Sequence, residues 1–137
     1  MTSEVLYKGD LRTVCTHLKS NSNFETDAPP DNNGKGERFS PTDLMATSLA
    51  ACMLTVMGIK ARTMDMDLND VRIEVLKTMA ADPRRISAID LTVHIPDALK
   101  NLDEKTITIL KNTGHTCPVA KSIHPDIKVS IDWGAWS

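Results

Sequence analysis

Apolar and polar residues alternate through two short segments near the start of the chain, residues 4–8 (EVLYK) and 11–18 (LRTVCTHL). A period of two predicts strands, and Gly9-Asp10 between them predicts a tight hairpin turn. In the second strand Leu11, Thr13, Cys15 and His17 share one face, and Arg12, Val14, Thr16 and Leu18 the other. Residues 22–27 predict a shorter third strand. The stretch that follows, DAPPDNNGKGER, is rich in Pro, Gly, Asn and Asp and predicts a loop of a length that is usually functional or mobile.

The pattern then changes. Ser40-Pro41 reads as a helix start, with Ser as N-cap and Pro in the first turn, where its missing N–H is no loss. Asp43 occupies the capping-box position near the positive end of the helix dipole. The helix is predicted to run to Met64, roughly 36 Å. Between Leu44 and Ile59 its only polar residues are the small Thr47, Ser48 and Thr55. A helix apolar on nearly every side is expected to be buried and central. One copy of so small a chain can hardly cover it, which predicts a homodimer.

Alternation returns at residues 70–80, where Val71, Ile73 and Val75 oppose Arg72, Glu74 and Leu76. ADPRRIS predicts a turn, and residues 88–95 (AIDLTVHI) the hairpin partner. A helix capped by Asn101 or Asp103 is expected to run through about Leu110 and to end at Gly114. His115-Thr116-Cys117-Pro118 opens a predicted short helix through Ile123, and residues 126–133 predict a closing strand. The order is three strands, a long helix, two strands, two helices and one strand. That is an α+β fold, expected as a single domain over residues 1–137.

Composition narrows the function classes. The chain has 137 residues, 41% hydrophobic and 25% charged, with a formal net charge of −2. That balance favours neither nucleic acid nor an anionic membrane. No stretch of eighteen residues lacks polar interruption, so no membrane span is expected. The opening MTSEVLYKGDLR carries no apolar leader, so a cytoplasmic protein is expected. GKGE lacks the spacing of a phosphate loop, and Gly-x-Ser-x-Gly is absent. The four histidines match no zinc pattern, and neither metal nor cofactor is expected.

The three cysteines carry more chemistry. Cys15, Cys52 and Cys117 form no C-x-x-C pair, which disfavours zinc-ribbon and thioredoxin-type sites. Cys117, before Pro118 at a predicted helix start, has a setting that favours thiolate, and a protonated His115 would add to it. The plainer alternative is that Cys117 fills an N-cap slot. Cys52 lies three turns into the apolar helix, where burial alone raises a thiol pKa and leaves it inert. A reactive Cys52 therefore needs a cation from elsewhere. Cys15 reads as filler on a strand face.

Taken together, SPTDLMATSLAACMLTV and HTCPVAKSI resemble the OsmC/Ohr family of thiol peroxidases over almost the whole chain. The paired motifs are S-P-x-[DE]-L followed by A-A-C, and a later C-P-[VY]. The resemblance implies that Cys52 is the peroxidatic residue, attacking an organic hydroperoxide, and that Cys117 resolves the sulfenic acid as a disulfide. It implies an external dithiol reductant, a lipoylated protein or another thiol, and an intertwined homodimer with sites formed between subunits. In the family a glutamate ten residues before the cysteine holds an activating arginine. Here Thr42 stands at that position and Asp43 follows. Arg12 lies where the family's early hairpin carries its arginine, and Arg38 competes for the role. Asp43 is the candidate partner, or simply the helix cap. The missing glutamate motivates a second reading, a non-enzymatic redox-sensing or apolar-ligand-binding relative.

Overall fold

Two separate three-stranded sheets and two α-helices make up the computed structural model, which describes residues 1–137. The chain divides into two compact units, Met1–Met45 and Ala46–Ser137.

In the first unit, β1 (Ser3–Gly9), β2 (Arg12–His17) and β3 (Asn23–Asp27) form an antiparallel meander in chain order. The second strand starts at Arg12 rather than Leu11. Gly9, Asp10 and Leu11 all take left-handed φ values, of 89°, 53° and 62°, so Leu11 belongs to the turn. The β2–β3 register sets Arg12 opposite Asp27 and Thr13 opposite Thr26. After β3 the chain makes a 3-10 turn over Pro30–Asn32 and folds back on itself. Gly36 N–H donates to Ala28 O at 3.2 Å, and Asp27 N–H to Phe39 O at 3.1 Å. The return is tight at Gly34, where a Cβ would fall 1.7 Å from Ala28 O. Only glycine fits there.

The helix α1 (Pro41–Thr63) begins in the first unit and supplies the second with its core face. Ala46, Leu49, Ala50, Met53, Met57 and Ala61 are buried, the spacing of one helical stripe. By length and composition alone α1 is apolar enough to cross a membrane, even though small polar residues interrupt it. The reason is that Thr47, Ser48 and Thr55 barely lower the mean hydropathy. Thr55 Oγ1, for one, donates to Ala51 O at 2.8 Å. The buried core helix of a water-soluble protein meets the same criterion.

The second sheet has the order β4 (Arg72–Ala80), β5 (Arg85–His94), β6 (Lys128–Asp132). The β4–β5 pair is antiparallel and the β5–β6 pair parallel. Parallel neighbours need a crossover, and α2 (Glu104–His115) lies within it. Ile89, Leu91 and Val93 of β5 join Leu110 of α2, Cys117, Trp133, Trp136 and the α1 stripe in one hydrophobic cluster.

Three local expectations change, the first being that β5 starts at Arg85, inside the predicted ADPRRIS turn. Gly114 does not end α2, which continues to His115 with Thr116 as C-cap. Gly114 is there for contact, since a Cβ would lie 2.9 Å from Met57 Sδ and 3.3 Å from Trp133. The predicted helix through Ile123 is instead a run of turns over residues 118–122, held by Lys121 N–H to Cys117 O at 3.2 Å and Ser122 N–H to Val119 O at 2.9 Å.

Leu110 is fully buried in this cluster. Leu110→Ala is therefore expected to destabilise the fold by about 2–5 kcal/mol through lost transfer energy and a residual cavity. Urea unfolding measures this, and a change below about 1 kcal/mol would contradict the assigned packing.

Candidate active site

Cys52 and Cys117 meet in the second unit. Cys52 projects from α1 at a partly exposed position and packs against the core cluster. Cys117, in the turn after α2, has no exposed surface. Cys52 is a near enough neighbour of Cys117 to raise the Cys117 pKa. Neither periodicity nor local spacing required that meeting.

The setting of Cys117 differs from the one read in the sequence. No regular helix starts at Pro118, so no helix dipole favours a thiolate there. Burial pushes the Cys117 thiol above its ordinary value. The Ala120 N–H, 3.4 Å from Sγ, opposes that rise, the adjacent Cys52 adds to it, and the Val119 N–H opposes it more weakly. His115 sets its ring edge against Trp133, with centroids 5.7 Å apart. Lys111 Nζ lies over the Trp133 ring, 5.8 Å from its centroid, and donates to Trp136 O at 3.1 Å.

Arg12 and Asp43 belong to the first unit. At the start of β2, Arg12 grips Asp27 with both arms of its fork, Nε to Oδ1 at 2.7 Å and Nη2 to Oδ2 at 2.8 Å. Nη2 also donates to Glu37 Oε2 at 3.1 Å, and a Glu25 oxygen lies 3.5 Å from Nε. These carboxylates raise the guanidinium pKa further, so Arg12 is permanently charged. Asp27 is only 1% exposed and also accepts the Glu37 N–H at 3.2 Å. The clamp thus ties the end of the 28–37 loop to the sheet. Arg38 donates to Glu37 O at 3.0 Å and pairs with Glu25 at 3.6 Å.

Asp43 forms the capping box. Its carboxylate accepts the Ser40 N–H at 3.0 Å, and Ser40 Oγ accepts the Asp43 N–H at 3.0 Å. Thr42, standing at the family's glutamate position, exchanges a hydrogen bond with Ser40 Oγ at 3.2 Å. The carboxylates that grip Arg12 are therefore Asp27 and Glu37, which the sequence reading did not single out. Extending the hairpin register across β2 and β3 would have exposed the Arg12–Asp27 pair. Glu37 had no comparable signal, because it arrives through a loop. No group of three or more His, Cys, Asp or Glu side chains is arranged to hold a metal ion.

The Arg12 fork holds the Asp27 carboxyl below the usual aspartate range, against the opposing effect of burial. A carboxyl whose folded pKa lies below its unfolded value, about 3.9, stabilises the fold above that value. The contribution disappears as pH falls through the folded pKa. Wild type is thus expected to be more stable than Asp27→Asn at neutral pH, with the gap narrowing steadily below about pH 4. Denaturant midpoints across that range check it, and a pH-independent gap would contradict the pairing.

Residues 34–132 match the family profile of the OsmC-like proteins. The chain belongs to the OsmC-like family. Among solved structures, this OsmC-like protein is similar to a candidate osmotic stress induced and detoxification response protein from Psychrobacter arcticus. The two share 57% identity over 96% of this chain and 94% of that one, with a TM-score of 0.91. The fold is also that of the organic hydroperoxide resistance protein OsmC from Legionella pneumophila, at 20% identity and TM-score 0.72, covering 96% of each chain. OhrB, the organic hydroperoxide resistance protein of Bacillus subtilis, shares it at 22% identity and TM-score 0.65, over 96% of this chain and 97% of that one. No curated protein matches the sequence.

Proposed function

We propose that this OsmC-like protein is a cysteine peroxidase for organic hydroperoxides, with Cys52 peroxidatic and Cys117 resolving. The observation that carries the reading is that Cys52 on α1 and the fully buried Cys117 after α2 are near enough neighbours to perturb one another. The Cys52 thiolate attacks the terminal peroxide oxygen, the O–O bond breaks, and the alcohol leaves after taking a proton. Cys52 is then a sulfenic acid. Cys117 attacks its sulfur, water departs, and a Cys52–Cys117 disulfide forms. An external dithiol, a lipoylated protein or another thiol, supplies two electrons to reopen it. Its apolar neighbours on α1 suit the alkyl part of an organic hydroperoxide.

The charge that favours the Cys52 thiolate is assigned to Arg12, which is permanently cationic and whose Nη1 lies outside the carboxylate clamp. Asp43 is assigned a supporting part through the start of the helix that carries Cys52. The working form is a cytoplasmic homodimer. Support for association comes from apolar side chains left open in each unit, Val5, Leu6 and Tyr7 in the first and Ile59 and Leu76 in the second.

Intact mass tests the cysteine roles directly. Reduced protein given one equivalent of cumene hydroperoxide should lose the mass of two hydrogen atoms, and Cys117→Ser should stop at one added oxygen. Further peroxide should then carry that variant to the sulfinic acid and inactivate it. Oxidation of Cys117 with Cys52 untouched would reverse the assignment. A second reading, a redox-sensing or ligand-binding relative, is favoured by one observation: three carboxylates already pair with Arg12. That reading predicts no turnover with any hydroperoxide and dithiol.

A further inference from the structure

Gly114 stands in the last turn of α2, where alanine would serve the helix better. The reason for glycine lies across the core. A Cβ there would fall 2.9 Å from Met57 Sδ and 3.4 Å from Met57 Cγ on α1, and 3.3 Å from the Trp133 ring. We infer that Gly114 is a positioning residue for disulfide formation: its missing side chain lets the end of α2 close on α1, which sets how near Cys117 stands to Cys52. The inference rests on the peroxidase reading above, because it concerns the step that makes the disulfide.

Every residue involved belongs to the second unit. Gly114 precedes Cys117 by three residues, and the link between them is stiff. The Thr116 N–H and hydroxyl both donate to Thr113 O, at 3.2 and 3.1 Å. Met57 follows Cys52 by five residues on the same unbroken helix. The contact at Gly114 therefore lies between the two arms that carry the sulfurs. Neither neighbour yields readily to an added methyl group. Met57 is fully buried in the hydrophobic cluster, where close packing resists another rotamer. Trp133 is buried too, and is held by the His115 ring at 5.7 Å between centroids and by Lys111 Nζ at 5.8 Å. A Cβ would push the end of α2 away from α1 and carry Cys117 with it.

The Cys52 sulfenic acid has two fates. In one, deprotonated Cys117 attacks its sulfur, the S–O bond breaks, and hydroxide leaves and takes a proton as water. In the other, the sulfur takes an oxygen from a second hydroperoxide, which departs as alcohol, and a sulfinic acid results. Only the first fate depends on where Cys117 stands. A misplacement of about 1 Å can slow such a step about 100-fold.

The test follows wild type, Gly114→Ala, Met57→Ala and the Gly114→Ala/Met57→Ala double variant by intact mass. Each reduced protein is mixed with graded cumene hydroperoxide and acid-quenched, and disulfide is compared with sulfinic acid. In Gly114→Ala the hydroperoxide concentration giving equal amounts of the two should fall about tenfold or more, with the rate of the first oxidation unchanged. Met57→Ala, which removes the opposing atoms, should restore the wild-type division in the double variant. An unchanged division in Gly114→Ala, equal slowing of both oxidations, or a fall that Met57→Ala does not reverse would each overturn the inference while leaving the peroxidase intact. Should urea curves show Gly114→Ala unfolded, Met57→Ala is compared with Gly114→Val/Met57→Ala, where the alanine leaves room for the fold and the valine restores the wedge. The same division in that pair would overturn the inference. Failure of wild type to form any Cys52–Cys117 disulfide would overturn the peroxidase reading, and this inference with it.

Discussion

Cys52→Ser is expected to abolish hydroperoxide consumption, down to the uncatalysed rate of the dithiol alone, while leaving the fold in place. Serine keeps the shape of the side chain but offers a hydroxyl that stays protonated and a far weaker nucleophile. Cys52 is partly exposed, so the new hydroxyl is not buried without recourse to water. The folding free energy should change by less than about 1.5 kcal/mol, as near-isosteric replacements do. The measurement is peroxide consumption with a dithiol in excess, beside a urea unfolding curve of the same sample. Activity near the wild-type level would remove Cys52 from the mechanism. Lost activity with an unfolded variant would be answered by Cys52→Ala, which adds no polar group at the site.

The second large effect is expected at Arg12. An unperturbed thiol with pKa near 8.5 is only about 3% thiolate at pH 7. If Arg12 is the cation that activates the nucleophile, Arg12→Met should slow the peroxide step by up to about 30-fold at pH 7. That ratio follows from the thiolate fraction alone, so it should vanish at alkaline pH, where both proteins are ionised. The pH profile is the informative reading because the substitution has a structural effect as well. It leaves Asp27 buried at 1% exposure without its bidentate partner, which weakens the first unit at any pH above the aspartate range. Alkaline rescue separates the two causes. Arg38→Met serves as the comparison, since Arg38 holds only Glu25 and a backbone carbonyl. A rescued defect in Arg38→Met and none in Arg12→Met would transfer the activating role to Arg38.

Much of the fold is legible from local signals. The β1–β2 hairpin follows from alternation around Gly9-Asp10, and the start of α1 from Ser40, Pro41 and Asp43, whose capping box is closed by two 3.0 Å hydrogen bonds. Asp103 caps α2 through Thr106 N–H at 3.1 Å, one of the two caps expected. These features rest on bonds between residues three or four apart, or on a period of two or 3.6. The errors are equally local. Leu11 falls in the turn because the backbone needs three left-handed residues in a row there. Residues 117–122 make hydrogen bonds of helical type without continuing into a helix, so the dipole inferred for Cys117 is missing.

What the sequence by itself determined was the α+β order, the apolar α1 and the paired motifs that place the chain in the OsmC-like family. Tertiary structure alone decided the parallel pairing of β5 with β6, the grip of Asp27 and Glu37 on Arg12, and the meeting of Cys52 with Cys117. The physical reason is the range of the interactions. Periodicity and capping record how each residue meets its near neighbours and water. Contacts such as Arg12 with Glu37, or Cys52 with Cys117, depend on how loops close and sheets register, and no local preference encodes them.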